Sequence, residues 1–404
     1  MLRPRRALAV AAAAIVALSA VTVSATASAE SSAVPATARS PHASAGSADV
    51  GVGDPRDRAA EMVSEMSTAE QAASIVMGHI PSTDASALHA YMAQGLGGFI
   101  LMGANIPADE ADLPDVTAAL TVDPELPPLV AIDQEGGIVS RLANDTYPAS
   151  TTLKGLPIAD TAAAFSARAA LVAKAGITVN FGTVADVTSD PASFIHGRAL
   201  GTDPRSSGDR VAAATVAQEQ VVASTLKHFP GHGAAPGDSH HAIPTTAESL
   251  AEWRAKDAVP FVEGIDAGAS LLMFGHLAYT TVDAAPASLS PRWHEIARDE
   301  LGFDGVIVTD DLGMLQSSGI AEYADPVANA VSAVVAGSDL VLMIAGSTPD
   351  TAGDIIDGIT AAVDAGTLPP DRLADAATRV MALRLESASA DVGWLPCQDC
   401  APVE

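Results

Sequence analysis

The chain has 404 residues, 48% of them hydrophobic and 17% charged, so it can bury a large core and is not a disordered segment. Its formal net charge of −28 argues against a nucleic-acid partner, whose phosphate backbone would repel so acidic a surface. Eight Phe, four Tyr and three Trp leave few platforms on which bases could stack.

Met1 to Arg6 is a basic start, Ala7 to Val23 is an apolar run, and Ala27-Ser28-Ala29 precedes Glu30. This is the pattern of a secretory signal peptide over residues 1–29. It predicts a secreted or cell-wall-associated protein. If the segment stays uncleaved, its length approaches that of a membrane anchor, the one route to a membrane in this sequence. Residues 30–54 are Ser, Ala, Thr, Gly and Pro with little apolar bulk and read as a flexible linker. Asp54-Pro55 opens a helix through Met66, and Ser67 with Glu70 three residues on is a capping-box pattern.

From there one rhythm repeats. Short apolar runs occur at Ser74–Met77, Gly98–Met102, Leu129–Ile132, Ile177–Phe181, Ser224–Leu226, Ser270–Phe274, Val306–Thr309 and Leu340–Met343. Helical patterns lie between them: Asp84–Gln94, Glu110–Leu120, Asp160–Lys174, Ser207–Val222, Thr246–Glu263, Pro291–Leu301, Pro326–Ala336 and Thr351–Ala365. Pro370 to Leu385 adds a closing helix. Continuous apolar strands alternating with helices predict a parallel sheet covered on both faces. Eight such units predict an α/β fold of the (β/α)8 TIM-barrel type, a single catalytic domain over residues 55–388. A doubly wound open sheet is the rival, but no glycine fingerprint follows the first strand. Residues 389–404 form a tail in which Cys397 and Cys400 suggest a local disulfide.

A barrel concentrates its chemistry at the C-terminal ends of its strands. Those ends read His79, Asp133 with Glu135, Asp186, Lys227 with His228, His276, and Asp310 with Asp311. Of the adjacent acids, one is expected to face the barrel mouth and the other to turn away, and Asp311 could equally cap the next helix. Asp133 is placed to accept hydrogen bonds from sugar hydroxyls. Arg141 either meets the substrate or pairs with Glu135. Lys227-His228-Phe229-Pro230-Gly231-His232-Gly233, with Asp238-Ser239-His240-His241 close behind, is the densest stretch. Imidazoles there suit proton transfer or ligation.

These stretches carry a resemblance. Asp133–Arg141, Lys227–Gly233 with Asp238-Ser239-His240, Pro286–Pro291 and Glu300–Met314 occur in the order found in family 3 glycoside hydrolases. Over roughly residues 55–385 the chain resembles the single-domain β-N-acetylhexosaminidases of the NagZ type. The resemblance implies a retaining hydrolase that removes terminal β-linked N-acetylglucosamine from peptidoglycan fragments or chito-oligosaccharides. Asp310 matches the nucleophile, His240 the acid/base and Asp238 its carboxylate partner. Asp133, Arg141, Arg198, Lys227 and His228 match residues that hold the N-acetylated sugar. Ile138 departs from the family's usual Arg, Ala199 and Leu200 from its usual Ser and aromatic residue, and His241 is an extra histidine.

The expected partner is therefore an N-acetylglucosamine-containing glycan, handled by a monomer without metal or cofactor. Three other readings stay open at this level. A metal hydrolase would use the histidines of residues 228–241 as ligands, but the first strand offers only His79. A phosphorylase would keep the mechanism and take phosphate as acceptor. A non-catalytic cell-wall binder would keep only the sugar contacts. Within the dense stretch, Lys227 and His228 are expected to be a fixed grip, and 229–237 a mobile connection to Asp238 and His240.

Overall fold

The computed structural model describes residues 54–388. The proposed signal peptide, most of the linker and the Cys397–Cys400 tail lie outside them. Eight parallel strands make the sheet: β1 (Val76–Gly78), β2 (Gly98–Leu101), β3 (Leu129–Ile132), β4 (Val179–Val184), β5 (Ala223–Phe229), β6 (Leu271–Phe274), β7 (Val306–Thr309) and β8 (Val341–Leu342). They pair in chain order, and β8 pairs back onto β1 through Val76–Val341 and Met77–Leu342. A bridge between Val308 and Leu340 joins the remaining edges. The Thr309 N–H donates to the Leu340 carbonyl and the Leu340 N–H to that of Ile307. The chain is thus a (β/α)8 barrel. Every residue of the eight strands is buried, as expected for strands covered on both faces.

The first helix, Pro55–Glu65, starts on the Asp54 carboxylate, which accepts the Arg56 N–H at 3.0 Å. The second, Thr68–Ser74, has the expected capping box: Ser67 N–H donates to Glu70, and Glu70 N–H to the Ser67 hydroxyl. The predicted helix over Thr246–Glu263 is a correction. The chain forms a short strand at Thr245–Thr246, then helices Leu250–Ala255 and Ala258–Asp266. An uninterrupted helix would place Pro260 in its interior, at a cost of about 3 kcal/mol. Restarting at Ala258 puts Pro260 in the first turn, where its missing N–H costs nothing. A second capping box, Ser249 with Glu252, starts the earlier piece.

Two buried features brace the two ends of the barrel. At the N-terminal ends of the strands, the buried Asp339 carboxylate accepts the Ile307 N–H at 2.8 Å and pairs with Arg298 and with Arg372, the latter at 2.7 Å. A cavity of about 590 Å³ opens at this end, lined by Met62, Met66, Met92, Met381 and the edge of Arg384. Below the C-terminal ends of β5 and β6, Phe229 is the hub of an aromatic cluster. Its ring lies 5.9 Å from Trp253, 5.3 Å from Phe261, 4.7 Å from Phe274 and 5.8 Å from Trp293.

Candidate active site

The polar residues at the strand ends form a connected shelf. Lys227, at the end of β5, puts its ammonium 2.8 Å from Asp133 Oδ1 and 2.7 Å from Glu135 Oε1. Arg198 grips Glu135 with two bonds, Nε to Oε2 at 3.0 Å and Nη2 to Oε1 at 2.7 Å. Arg141 reaches Asp133 Oδ2 at 3.4 Å rather than Glu135, which corrects the pairing allowed by the sequence. Glu135 is already saturated by Lys227 and Arg198, so the more exposed Arg141 takes the other acid. Burial alone would neutralise Asp133 and Glu135, but the Lys227 charge and the arginines outweigh it and hold both pKa values below the ordinary range. Burial likewise works against Lys227 and Arg198, and the two carboxylates more than offset it, raising both.

His228 is oriented from behind. Its Nδ1 lies 2.7 Å from Oδ2 of the buried Asp186, whose Oδ1 also accepts the backbone N–H of His228 and of His232. Burial first, then the Arg198 charge, pushes the His228 pKa well down, against the raising field of Asp310. A neutral ring that donates from Nδ1 presents a lone pair at Nε2. Arg198 Nη2 stands there at 3.2 Å. Burial pushes the Asp186 carboxyl up to about 6.

The paired acids after β7 separate as expected. Asp311 turns away from the mouth. Its Oδ1 accepts the N–H groups of Gly313 and Ile344 and its Oδ2 that of Ala345, so it ties the loop after β8 to the loop after β7. It does not act as an ordinary N-cap, since Leu312 holds that position for the helix Gly313–Ser317. Burial raises Asp311 to about 6. Asp310 is opposite in character. Burial would raise it as well, but the fields of His228 and His276, the Asp311 N–H and the Lys227 charge bring it below the ordinary carboxylate range. Oδ1 accepts the Asp311 N–H at 2.8 Å, which leaves Oδ2 for other work. His276 packs beside this pair. Its Nε2 can only donate to the Asp311 carbonyl, at 2.8 Å, so its Nδ1 accepts from Ser288 at 2.7 Å.

Asp238 and His240 are a self-contained pair on the loop after β5. His240 Nδ1 lies 2.6 Å from Asp238 Oδ1, and the His240 N–H donates to the same oxygen. Their side chains are 58% and 40% exposed for His240 and Asp238, against 3% for Lys227. Among the described residues the His240 ring bonds Asp238 alone. Burial would raise Asp238, and its hydrogen bonds from His240 outweigh that and lower it.

The connection between the two groups differs from expectation. Residues 229–232 are buried, not a mobile stretch. Trp253 Nε1 donates to the Pro230 carbonyl at 2.8 Å and Tyr279 to the Gly231 carbonyl at 2.9 Å. Gly231 has φ of +132°, and a side chain there would press on Asp257. The exposed part of the loop begins only at Pro236. Of the residues singled out from sequence, Asp133, Arg141, Arg198, Lys227 and His228 join one network, Asp310 lies within its field, and Asp238 with His240 stands apart. Glu135 and Asp186, which hold the shelf together, are visible in the sequence only as polar strand ends.

A parallel barrel with ionised carboxylates, cations and an imidazole–carboxylate pair around its C-terminal mouth defines an enzyme of the glycoside-cleaving barrel class. Residues 64–383 match the glycosyl hydrolase family 3 N-terminal domain, and the chain belongs to that family and is a glycoside hydrolase. It is 34% identical over 271 residues to a β-hexosaminidase of Methylococcus capsulatus, covering 65% of this chain and 79% of that one. A family 3 β-N-acetylglucosaminidase from Paenibacillus superposes with a TM-score of 0.74 at 29% identity, over 80% of this chain and 64% of its own length. A β-N-acetylhexosaminidase from Beutenbergia cavernae superposes with a TM-score of 0.69 at 29% identity, over 79% of this chain and 99% of its own.

Proposed function

We propose that the protein is an exported, retaining β-N-acetylhexosaminidase that releases terminal β-linked N-acetylglucosamine from peptidoglycan fragments or chito-oligosaccharides. The observation that carries this reading is the contrast between Asp310, a carboxylate kept ionised at the barrel mouth, and His240, an imidazole backed by Asp238 on an exposed loop. Retaining hydrolysis requires a nucleophile on one side of the anomeric carbon and a proton donor on the other. Asp310 Oδ2 attacks that carbon as its bond to the leaving oxygen breaks. His240 Nε2 gives its proton to that oxygen. In the second half, His240 takes a proton from water, the hydroxide attacks the same carbon, and Asp310 departs as a carboxylate. Asp238 accepts from Nδ1 throughout and so keeps Nε2 as the atom that exchanges protons. Asp133, Arg141, Arg198, Lys227 and His228 hold the sugar.

The relatives named as β-hexosaminidase and β-N-acetylglucosaminidase support the sugar assignment. The sequence pattern of residues 1–29 supports export. The test is the stereochemistry of the first product. Proton NMR of the reaction on an aryl β-N-acetylglucosaminide is expected to show the β-anomer before mutarotation. The α-anomer first would sink the double-displacement mechanism. The same reaction in phosphate buffer is expected to yield the free sugar, not a sugar phosphate.

A further inference from the structure

Gln134 lies between the two acids of the shelf, yet its side chain is buried and points away from both. It uses all four of its hydrogen-bonding positions. Oε1 accepts the backbone N–H of Arg141 at 2.8 Å and of Leu142 at 3.0 Å. Nε2 donates to the Ser140 hydroxyl at 2.5 Å and to Asp145 Oδ2 at 2.7 Å. Its own backbone N–H and carbonyl are both taken by the Asn180 side chain on β4, at 3.1 Å each.

Behind it stands an ion pair with no exposed side-chain surface. Arg168, on the helix Ile158–Lys174, reaches Asp145 Oδ2 through Nε at 2.6 Å and Oδ1 through Nη2 at 3.2 Å. This pair is built tightly into the loop: a Cβ on Gly136 would lie 2.1 Å from Arg168 Nη2. A buried ion pair stabilises little by itself, because desolvation consumes most of the attraction. Here it gives Gln134 a charged acceptor that cannot move.

We infer that Gln134, seated on the Asp145–Arg168 pair, is the positioning residue that sets Arg141 against Asp133 for the terminal sugar. This inference rests on the function proposed above. The Val139 carbonyl accepts the N–H groups of Glu135 and Gly136 inside the excursion from Asp133 to Arg141, and the Gln134 amide closes its neck. One end of that amide holds the Arg141 backbone and the other holds a fixed carboxylate. An amide is needed because Oε1 must accept two N–H groups while Nε2 must donate to a carboxylate. A glutamate of the same size keeps the first half and turns the second into repulsion against Asp145.

The experiment is steady-state kinetics on a 4-nitrophenyl β-N-acetylglucosaminide with the purified enzyme, folding checked by circular dichroism. Gln134→Met and Gln134→Glu are each expected to raise KM about tenfold with kcat changed by less than about threefold, the signature of lost uniform sugar binding. Arg141→Ala should give a KM increase of similar size, and adding Gln134→Met to it should change KM by less than about twofold, because both act through one contact. An unchanged KM in both Gln134 variants, or effects that multiply fully in the double variant, would overturn the inference. Gln134→Glu retains the size and both acceptor bonds, so it decides the matter if Gln134→Met does not fold. A loss of folding in both, with Asp145→Asn folded and its KM unchanged, also overturns it. If the unmodified enzyme fails to turn over the substrate, the functional reading fails instead, which is a separate outcome.

Discussion

The shelf and the loop that follows it carry charges in opposite ways. In the shelf, Lys227, Glu135, Asp133 and Arg198 are held by one another, and the side chains of Lys227 and Glu135 are 3% and 2% exposed. On the loop, the side chains of His240 and Asp238 bond only each other among the described residues, and they are 58% and 40% exposed. The difference separates two tasks. Gripping a sugar needs groups whose positions do not change, and buried alternating charges provide that. Delivering a proton to a leaving oxygen needs a group that can approach after the substrate is seated, and an exposed pair on a loop provides that.

Removing Asp310 should break this division most completely. Asp310→Ala is expected to lower kcat on an aryl N-acetylglucosaminide at least about a thousandfold while leaving the melting temperature nearly unchanged. Residual activity near the starting level would remove Asp310 from the chemistry. Because the fields around Asp310 hold it below the ordinary carboxylate range, the acidic limb of kcat/KM that reports its ionisation should also fall below that range.

His240→Ala should sharpen the comparison next. A substrate with a poor leaving group is expected to lose about a hundredfold or more, and an activated aryl leaving group much less, because only the first needs protonation. Equal losses on the two substrates would argue against His240 as the acid.

The shelf should answer through stability as well as binding. Lys227→Met removes the cation that Asp133 and Glu135 share and leaves each with only its arginine, and chemical denaturation is expected to show a loss of about 3–5 kcal/mol. Asp238→Asn, which breaks an exposed pair, should cost less than about 1 kcal/mol. Comparable losses at the two positions would mean that the loop pair is as rigidly built in as the shelf.

A pH-dependent effect is expected where the regions meet, under Gly231. Asp257 is buried there beside Lys256, and burial with the neighbouring Glu248 raises it to about 8. The folded protein therefore keeps a proton that the unfolded chain releases at the ordinary carboxylate pKa of 3.8. The stability from that proton is complete below the ordinary value and is lost as pH rises through about 8. The slope between these limits is at most about 1.4 kcal/mol per pH unit. Asp257→Asn should flatten the fall in melting temperature between pH 5 and about 8. An unchanged slope would mean that Lys256 keeps Asp257 ionised.

Much of this layout is legible in the amino-acid sequence alone. The eight strands are visible because a sheet covered on both faces admits only continuous apolar runs, and those runs end where polar residues begin. The region 246–263 misleads because its apolar spacing is helical throughout, while Pro260 and the Ser249–Glu252 box impose a restart that periodicity does not register. The buried base of the loop misleads for another reason. Pro230 and Gly231 look like hinge residues, but Trp253 and Tyr279 arrive from other elements to bond their carbonyls.

By itself, the sequence determined the barrel, the polar strand ends and the residue types at the mouth, because each depends on local periodicity and on which side chains can carry charge. Only the tertiary structure decided which charge meets which. Arg141 pairs with Asp133 because Glu135 is already saturated by Arg198 and Lys227. Asp310 is held below the ordinary carboxylate range while its neighbour Asp311 is raised to about 6, because two histidines and a lysine face one, whereas burial and the Asp310 charge outweigh the three backbone N–H groups that the other accepts. Such choices are settled by groups far apart in the chain, through distances of a few ångströms that no spacing in the sequence encodes.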